Sequence, residues 1–120
     1  EEMAEIYKSC FALAMPTFSG PTNIPPWEAF YFKKPVLYSK IYEIEKEYKD
    51  AVYYIDPYNV ESLVDALYDL KQNKNNYVKY QTKGMEMIEN NNFDLEVTEF
   101  LKKIYKLRKA QNSWKFLYEA

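Results

Sequence analysis

The chain has 120 residues, 48% apolar and 28% charged, the size and mixture of one compact globular domain rather than of a disordered segment. Its 16 basic and 18 acidic residues leave a net charge of −2, so no overall basic field draws it to nucleic acid or to anionic lipid. Cys10 is the single cysteine and histidine is absent, which removes disulfides, the common zinc sites and every histidine-based triad, and fits a reducing cytoplasm. No metal site is expected. The longest apolar run, Phe11 to Met15, is too short to span a bilayer, and no signal-peptide pattern opens the chain, so a soluble protein without a transmembrane segment is expected. The 13 tyrosines are expected to serve as half-buried packing.

Met3, Ile6, Tyr7 and Cys10 recur at helical spacing, and Phe11-Ala12-Leu13-Ala14-Met15 is apolar on both faces before Pro16, which predicts a helix and then a buried strand. Turn formers crowd the stretch from Pro16 to Pro26 and lead into Trp27-Glu28-Ala29-Phe30, so a loop feeds a helix beginning near Pro25 or Pro26. Pro35 to Ser39 and Val52 to Ile55 are the second and third strand candidates, with a helix between them over Ile41 to Lys49. Asn59 is a plausible N-cap for a helix whose stripe is Val60, Leu63, Val64, Leu67 and Leu70, with Glu61 in its first turn. Asn73 to Asn76 is expected to break that helix, a further helix runs from Tyr77 to Glu89, and Asn90-Asn91-Asn92 breaks again. The last helix carries Val97, Phe100, Leu101, Ile104 and Tyr105 on one side.

This alternation predicts an α/β fold: a partial doubly wound, Rossmann-like parallel sheet of about three strands, with flanking helices and a helical C-terminal tail. Ligands of such sheets gather beyond the carboxyl ends of the strands, where the loop from Thr17 to Ile24 falls. About three strands are few for the class, so further strands upstream are expected. The chain has no internal repeat, no G-x-G-x-x-G and no phosphate-loop lysine motif.

The most informative string is Gly20-Pro21-Thr22-Asn23-Ile24-Pro25-Pro26-Trp27-Glu28-Ala29-Phe30, followed by Lys34-Pro35-Val36-Leu37-Tyr38-Ser39. Free N–H groups of a loop and of the helix start behind it offer partial positive charge to an anion without a metal or a basic side chain. The string resembles the donor loop E-G-F-G-L-P-P-x-E-A-x-x-x-G-x-P-V-x-x-S of the retaining glycosyltransferases of the two-Rossmann-domain (GT-B) type, the glycosyl transferases group 1 family. Pro25, Pro26, Glu28, Ala29, Pro35, Val36 and Ser39 fall on that pattern in register. Glu43 sits where the family has a Pro-Glu pair, Asp50-Ala51 resembles its Gly-Asp-Ala-Ala, and Asp56-Pro57 matches its Asp-Pro. The likeness runs from residue 1 to about residue 110, which would be the C-terminal half of a nucleotide-sugar donor-binding domain, with residues 111–120 as a tail.

The resemblance implies that the Glu28 carboxylate accepts hydrogen bonds from the donor's ribose, and that Gly20, Pro21, Thr22, Asn23 and Ile24 form the loop facing the diphosphate and sugar. Without the resemblance, Glu28 reads as an acid complementing the helix dipole, worth a few tenths to about 1 kcal/mol. Two departures stand out. Gly20 occupies the place of the family's first glutamate, eight residues before Glu28, so Thr22, Asn23 and backbone N–H groups are left to address the donor. Lys33 stands where the family has glycine; if that residue is left-handed, a side chain costs roughly 1 kcal/mol.

The implied function is transfer of a hexose or related sugar, with retention, from a nucleotide diphosphate-sugar to a surface glycan or glycolipid acceptor such as lipopolysaccharide or capsule. The nucleotide-sugar is a substrate and no cofactor is expected. The family's diphosphate-neutralising Arg and Lys and its acceptor domain lie upstream of the matched segment, so the chain alone is expected to be inactive and the parent enzyme cytoplasmic or peripheral at the inner membrane face. Two other readings stand beside this one: a non-catalytic nucleotide-sugar-binding partner subunit, and a degenerate structural remnant. Trp114, Phe116, Leu117 and Tyr118 either dock the tail on another domain or pack locally, and uncovered strand edges predict self-association.

Overall fold

The computed structural model describes residues 2–20, 23–91 and 93–119, except for the side chains of 93, 95, 96 and 111–119. The chain divides into two units, residues 1–90 and residues 91–120. The first holds α1 (Glu2–Ser9), β1 (Leu13–Met15), α2 (Ile24–Tyr31), β2 (Val36–Ser39), α3 (Tyr42–Tyr48), β3 (Tyr53–Ile55), α4 (Val60–Gln72) and α5 (Lys74–Asn90). The second is the helix α6 (Phe93–Glu119). The fold is α/β, an open three-stranded parallel sheet in the order β1-β2-β3, as the alternation of the sequence predicts.

Leu13, Ala14 and Met15 pair with Val36, Leu37 and Tyr38, and Leu37, Tyr38 and Ser39 pair in turn with Tyr53, Tyr54 and Ile55. All four residues of β2 are buried, because the strand is central and both its faces are covered. Val36 and Tyr38 point into a cluster with Tyr7, Ala29 and Phe30, Ile44, Tyr48, Ala51 and Val52. Leu37 points the other way, to Ile55, Ala66 and Leu70. The strand period of two thus sends α2 and α3 to one face and α4 to the other. Ser39, the buried polar residue of the strand, donates from Oγ to the Met15 carbonyl at 3.3 Å and ties β2 to β1.

The strand predicted from Phe11 to Met15 differs from expectation. β1 is short, Ala14 and Phe11 are exposed, and Leu13 and Met15 are half-buried, because β1 lies at the edge of the sheet. The stripe predicted for α4 is also rotated. Leu70 and Ala66 are buried and Leu63 is half-buried, whereas Val60 and Val64 are 74% and 57% exposed. A narrow sheet accepts one line of contacts at i, i+3 and i+7, and the small Ala66 lets the helix approach closely. Asn59 is the N-cap, its Oδ1 accepting from the Glu61 N–H at 3.0 Å. Asn73 alone separates α4 from α5, so α5 begins three residues before the predicted Tyr77. The domain boundary expected at residue 110 lies within α6, which carries Val97, Phe100, Leu101, Ile104 and Tyr105 as exposed residues. The expectation for Trp114, Phe116, Leu117 and Tyr118 falls on side chains outside the described residues.

α5 passes the amino ends of all three strands. Tyr77 Oη donates to the Phe11 carbonyl at 2.8 Å, Gln81 Nε2 donates to the Lys33 carbonyl at 2.8 Å, and Lys83 Nζ lies 3.4 Å from Asp50 Oδ2. Phe11, Lys33 and Asp50 each precede a strand by two or three residues. Farther along α5, Gly84 lies over the Phe30 ring so closely that a Cβ would stand 3.0 Å from Cγ and 3.1 Å from Cε1, and closer still to Cδ1.

Two lysines occupy conformations that suit glycine. Lys33 has φ 56°, and its N–H reaches the Phe30 carbonyl at 2.9 Å while the Lys34 N–H reaches that of Ala29 at 2.8 Å, the two bonds of a Schellman end to α2. Lys49 has φ 48° and ψ −114°, the first central position of a type II′ turn closed by the Ala51 N–H on the Tyr48 carbonyl at 2.9 Å. Both stand where the resembling family has glycine, before Lys-Pro and before Asp-Ala.

Alanine at position 84 raises helix propensity by up to about 1 kcal/mol. Its methyl group meets the Phe30 ring, and overpacking costs roughly 1–3 kcal/mol. Gly84→Ala is therefore expected to lower the urea midpoint, whereas Lys33→Gly raises stability by about 0.5–1 kcal/mol by relieving a left-handed side-chain-bearing residue. A Gly84→Ala midpoint above that of the parent would contradict the close packing of α5 on α2.

Candidate functional site

With α5 along the amino ends, the loops after the three strands, of which residues 16–20 and 23, 40–41 and 56–59 are described, lie at the carboxyl edge. The first loop is compact. The Thr17 N–H bonds the Met15 carbonyl at 2.9 Å, and Thr17 Oγ1 donates to the Ser19 carbonyl at 2.7 Å. Gly20 has φ 92°, a conformation that side chains rarely adopt. A glutamate there, as the donor-loop pattern has, requires a different local backbone.

The Gly20 carbonyl accepts from Asn23 Nδ2 at 2.7 Å and from Tyr38 Oη at 3.2 Å, and Asn23 Nδ2 also donates to Tyr38 Oη at 2.7 Å. Tyr48 Oη donates to the Asn23 carbonyl at 3.4 Å. Asn23 is the N-cap residue of α2 but caps no N–H with its side chain; both of its amide hydrogens are used to close the loop. Tyr38 is the third of the four residues of the central strand and Tyr48 the last of α3, so two buried rings reach up from the core and hold the loop from below.

α2 begins at Ile24, one residue earlier than the prolines suggest. Pro25 and Pro26 then occupy the first turn and carry no N–H, so Ile24 is the one residue of the first three that has a backbone donor. The first turn therefore offers an anion fewer donors than the sequence suggests, the N–H groups of Asn23 and Ile24 together with the dipole. Ile24 itself is exposed, and Pro21 and Thr22 lie outside the described residues.

Glu28 is the fifth residue of α2, and the first turn holds no acid. The reading of Glu28 as an acid complementing the helix dipole therefore loses force, since that effect fades beyond the first turn. The carboxylate is half-buried and accepts a hydrogen bond from Tyr7 Oη at 2.9 Å on Oε2. Among the described residues Oε1 has no hydrogen-bond partner. Burial first, then the bond to Glu28 and its charge, push the Tyr7 hydroxyl up to about 12. A raised acid of this kind stabilises the fold fully below the ordinary tyrosine value of about 10 and loses that contribution as the pH climbs through about 12. The Tyr48 hydroxyl is likewise raised, mainly by burial and then by the neighbouring Tyr38 and Glu47.

Phe18 and Tyr58, both exposed, stand with ring centroids 5.0 Å apart and join the first and third loops. The third loop is ordered by Asp56, whose Oδ1 accepts from the Tyr58 N–H at 2.9 Å, and by Ser62 Oγ, which accepts from the Asp56 N–H at 2.9 Å. Asp-Pro here is thus a turn that leads into the cap of α4. No group of three or more acidic, His or Cys side chains able to hold a metal occurs among the described residues, and none of their helices is long and apolar enough to cross a membrane.

An open parallel α/β sheet, with a loop after its first strand and a half-buried carboxylate on the helix that follows, places the chain in the doubly wound class. The chain belongs to a family of glycosyltransferases, Glycosyl transferases group 1, whose sequence profile matches residues 1–87. That span takes in the whole sheet, the loop, Glu28 and the part of α5 that crosses the strand starts. No curated protein and no solved structure matches the chain.

Tyr38→Phe removes the hydroxyl that bonds both Gly20 and Asn23 while leaving the ring in the core. It is expected to cost about 1–2 kcal/mol, with faster amide exchange at residues 17–24 and unchanged protection in β2. Unaltered exchange in the loop would show that the tyrosine does not hold it.

Proposed function

We propose that the chain contributes donor-site contacts to a glycosyltransferase that moves a hexose or related sugar, with retention, from a nucleotide diphosphate-sugar to a glycan or glycolipid acceptor. The observation that carries the reading is the position of Glu28, a half-buried carboxylate on the helix that follows the carboxyl-edge loop. A carboxylate there has free acceptor capacity for the vicinal hydroxyls of a ribose, and charge assistance makes such bonds strong. The diphosphate would lie against the loop and the positive end of α2, where Gly20, Asn23 and Ile24 present backbone rather than charge.

Retaining transfer builds positive character on the sugar while negative charge collects on the departing diphosphate. Residues 16–32, from the loop through the end of α2, contain no lysine or arginine, so the neutralising charge comes from elsewhere in the enzyme. The division of labour proposed here is recognition by this segment and charge stabilisation by another. Accordingly, the chain by itself binds donor without transferring sugar.

Calorimetric titration with UDP, GDP and their sugars tests the reading. One nucleotide series is expected to bind, and Glu28→Ala to weaken it by roughly tenfold or more, the scale of a lost hydrogen bond to a charged group. Equal affinities of the parent and a folded Glu28→Ala chain would contradict the assignment.

A further inference from the structure

Glu28 is a flexible side chain on a helix surface, and an acceptor of two hydroxyls is effective only when its carboxylate is held in one orientation. We infer that Tyr7 is the residue that holds it: the phenol ties down Oε2 at 2.9 Å and leaves Oε1 and the second lone pair of Oε2 for the ribose diol. The inference rests on Glu28 being the ribose ligand.

Tyr7 is built for rigidity. It is the buried residue of α1, 6% exposed, on a helix whose other described residues are half-buried or exposed. Its ring stacks on that of Phe32, with centroids 5.6 Å apart and planes 4° from parallel. Phe32 is the C-cap of α2, fixed by its N–H on the Glu28 carbonyl at 3.1 Å and followed directly by the Schellman bonds. The end of α1 is tied to the same place, since Lys34 Nζ donates to the Lys8 carbonyl at 3.0 Å. The donor oxygen and the carboxylate therefore belong to two helices locked to each other, so the hydrogen bond is set before any ligand arrives. Such preorganisation removes rotamer freedom that binding would otherwise have to remove. A tyrosine that served packing alone would have no effect on the preference for a ribose over a 2′-deoxyribose ligand.

That distinction supplies the test. The whole chain, Tyr7→Phe, Glu28→Gln and the double variant are titrated with UDP and GDP and with their 2′-deoxy forms, each after a melting curve has shown a folded protein. Tyr7→Phe keeps the ring on Phe32 and removes only the hydroxyl. In the parent, loss of the 2′-hydroxyl is expected to weaken binding roughly tenfold; in both single variants that ratio falls below about threefold, and the double variant is no worse than Glu28→Gln. If Glu28→Gln loses the discrimination and Tyr7→Phe keeps it, the inference is overturned and the reading of Glu28 stands. If the parent does not discriminate, or a folded parent binds no nucleotide, the reading of Glu28 fails and the inference fails with it.

Discussion

The geometry of the molecule depends on how α5 lies across the amino ends of the sheet. One helix meets the approach to each of the three strands, through Tyr77 on the Phe11 carbonyl, Gln81 on the Lys33 carbonyl and Lys83 beside Asp50. It also packs on α2 through Gly84, with nothing between its backbone and the Phe30 ring. A three-stranded sheet has little core of its own. Covering both faces of β2 with helices and bracing the strand starts with a further one orders the sheet and leaves the carboxyl edge for the loops.

From that constraint the candidate site follows by short steps. The end of α2 is held by Phe30 and by the Schellman bonds at Lys33, whose carbonyl is also the acceptor for Gln81. With its last turn fixed, the helix presents Glu28 and Ile24 at set heights along its axis. The loop ahead of it is held separately, by Tyr38 from the central strand and Tyr48 from α3. Buried phenols suit this task because each fills the core with its ring and delivers a polar tip at the boundary. Tyr7 does the same on the flank of α2, with its tip on a carboxylate rather than a carbonyl.

Much of this was legible in the sequence. Strands two and three, the helix between them, the Asn59 cap and the parallel α/β class follow from strand-like runs, turn residues and capping chemistry, which act locally. Other features are set by distant partners. The stripe of α4 is chosen by the sheet, which takes Ala66 and rejects Val60 and Val64; an alanine carries no strong apolar signal. The exposure of β1 is decided by its place at the edge, which composition cannot encode. At the loop, the string from Gly20 to Glu28 was visible as a unit, but Tyr7, Tyr38 and Tyr48 were not. Nothing separates them from ten other tyrosines until the fold brings them to Glu28, Gly20 and Asn23. Gln81 and Gly84, far along the chain, carried no motif at all.

Motifs shared with the family acquire local physical reasons in this structure. Ser39 of the Pro-Val-x-x-Ser stretch ties two strands, and Asp56 of Asp-Pro orders a turn. Two of the places where the family pattern has glycine, positions 33 and 49, are left-handed lysines here. The central claim is that ligand recognition belongs to the carboxyl edge. It is tested most directly by following the backbone amides of the isotope-labelled chain by NMR during titration with UDP and GDP. The account predicts shifts gathered at Thr17 to Gly20, Asn23, Ile24 and Trp27 to Glu28. Shifts gathered instead around Lys33, Gln81, Thr82, Met85 and Glu89, the groove where α5 meets the end of α2, would contradict it.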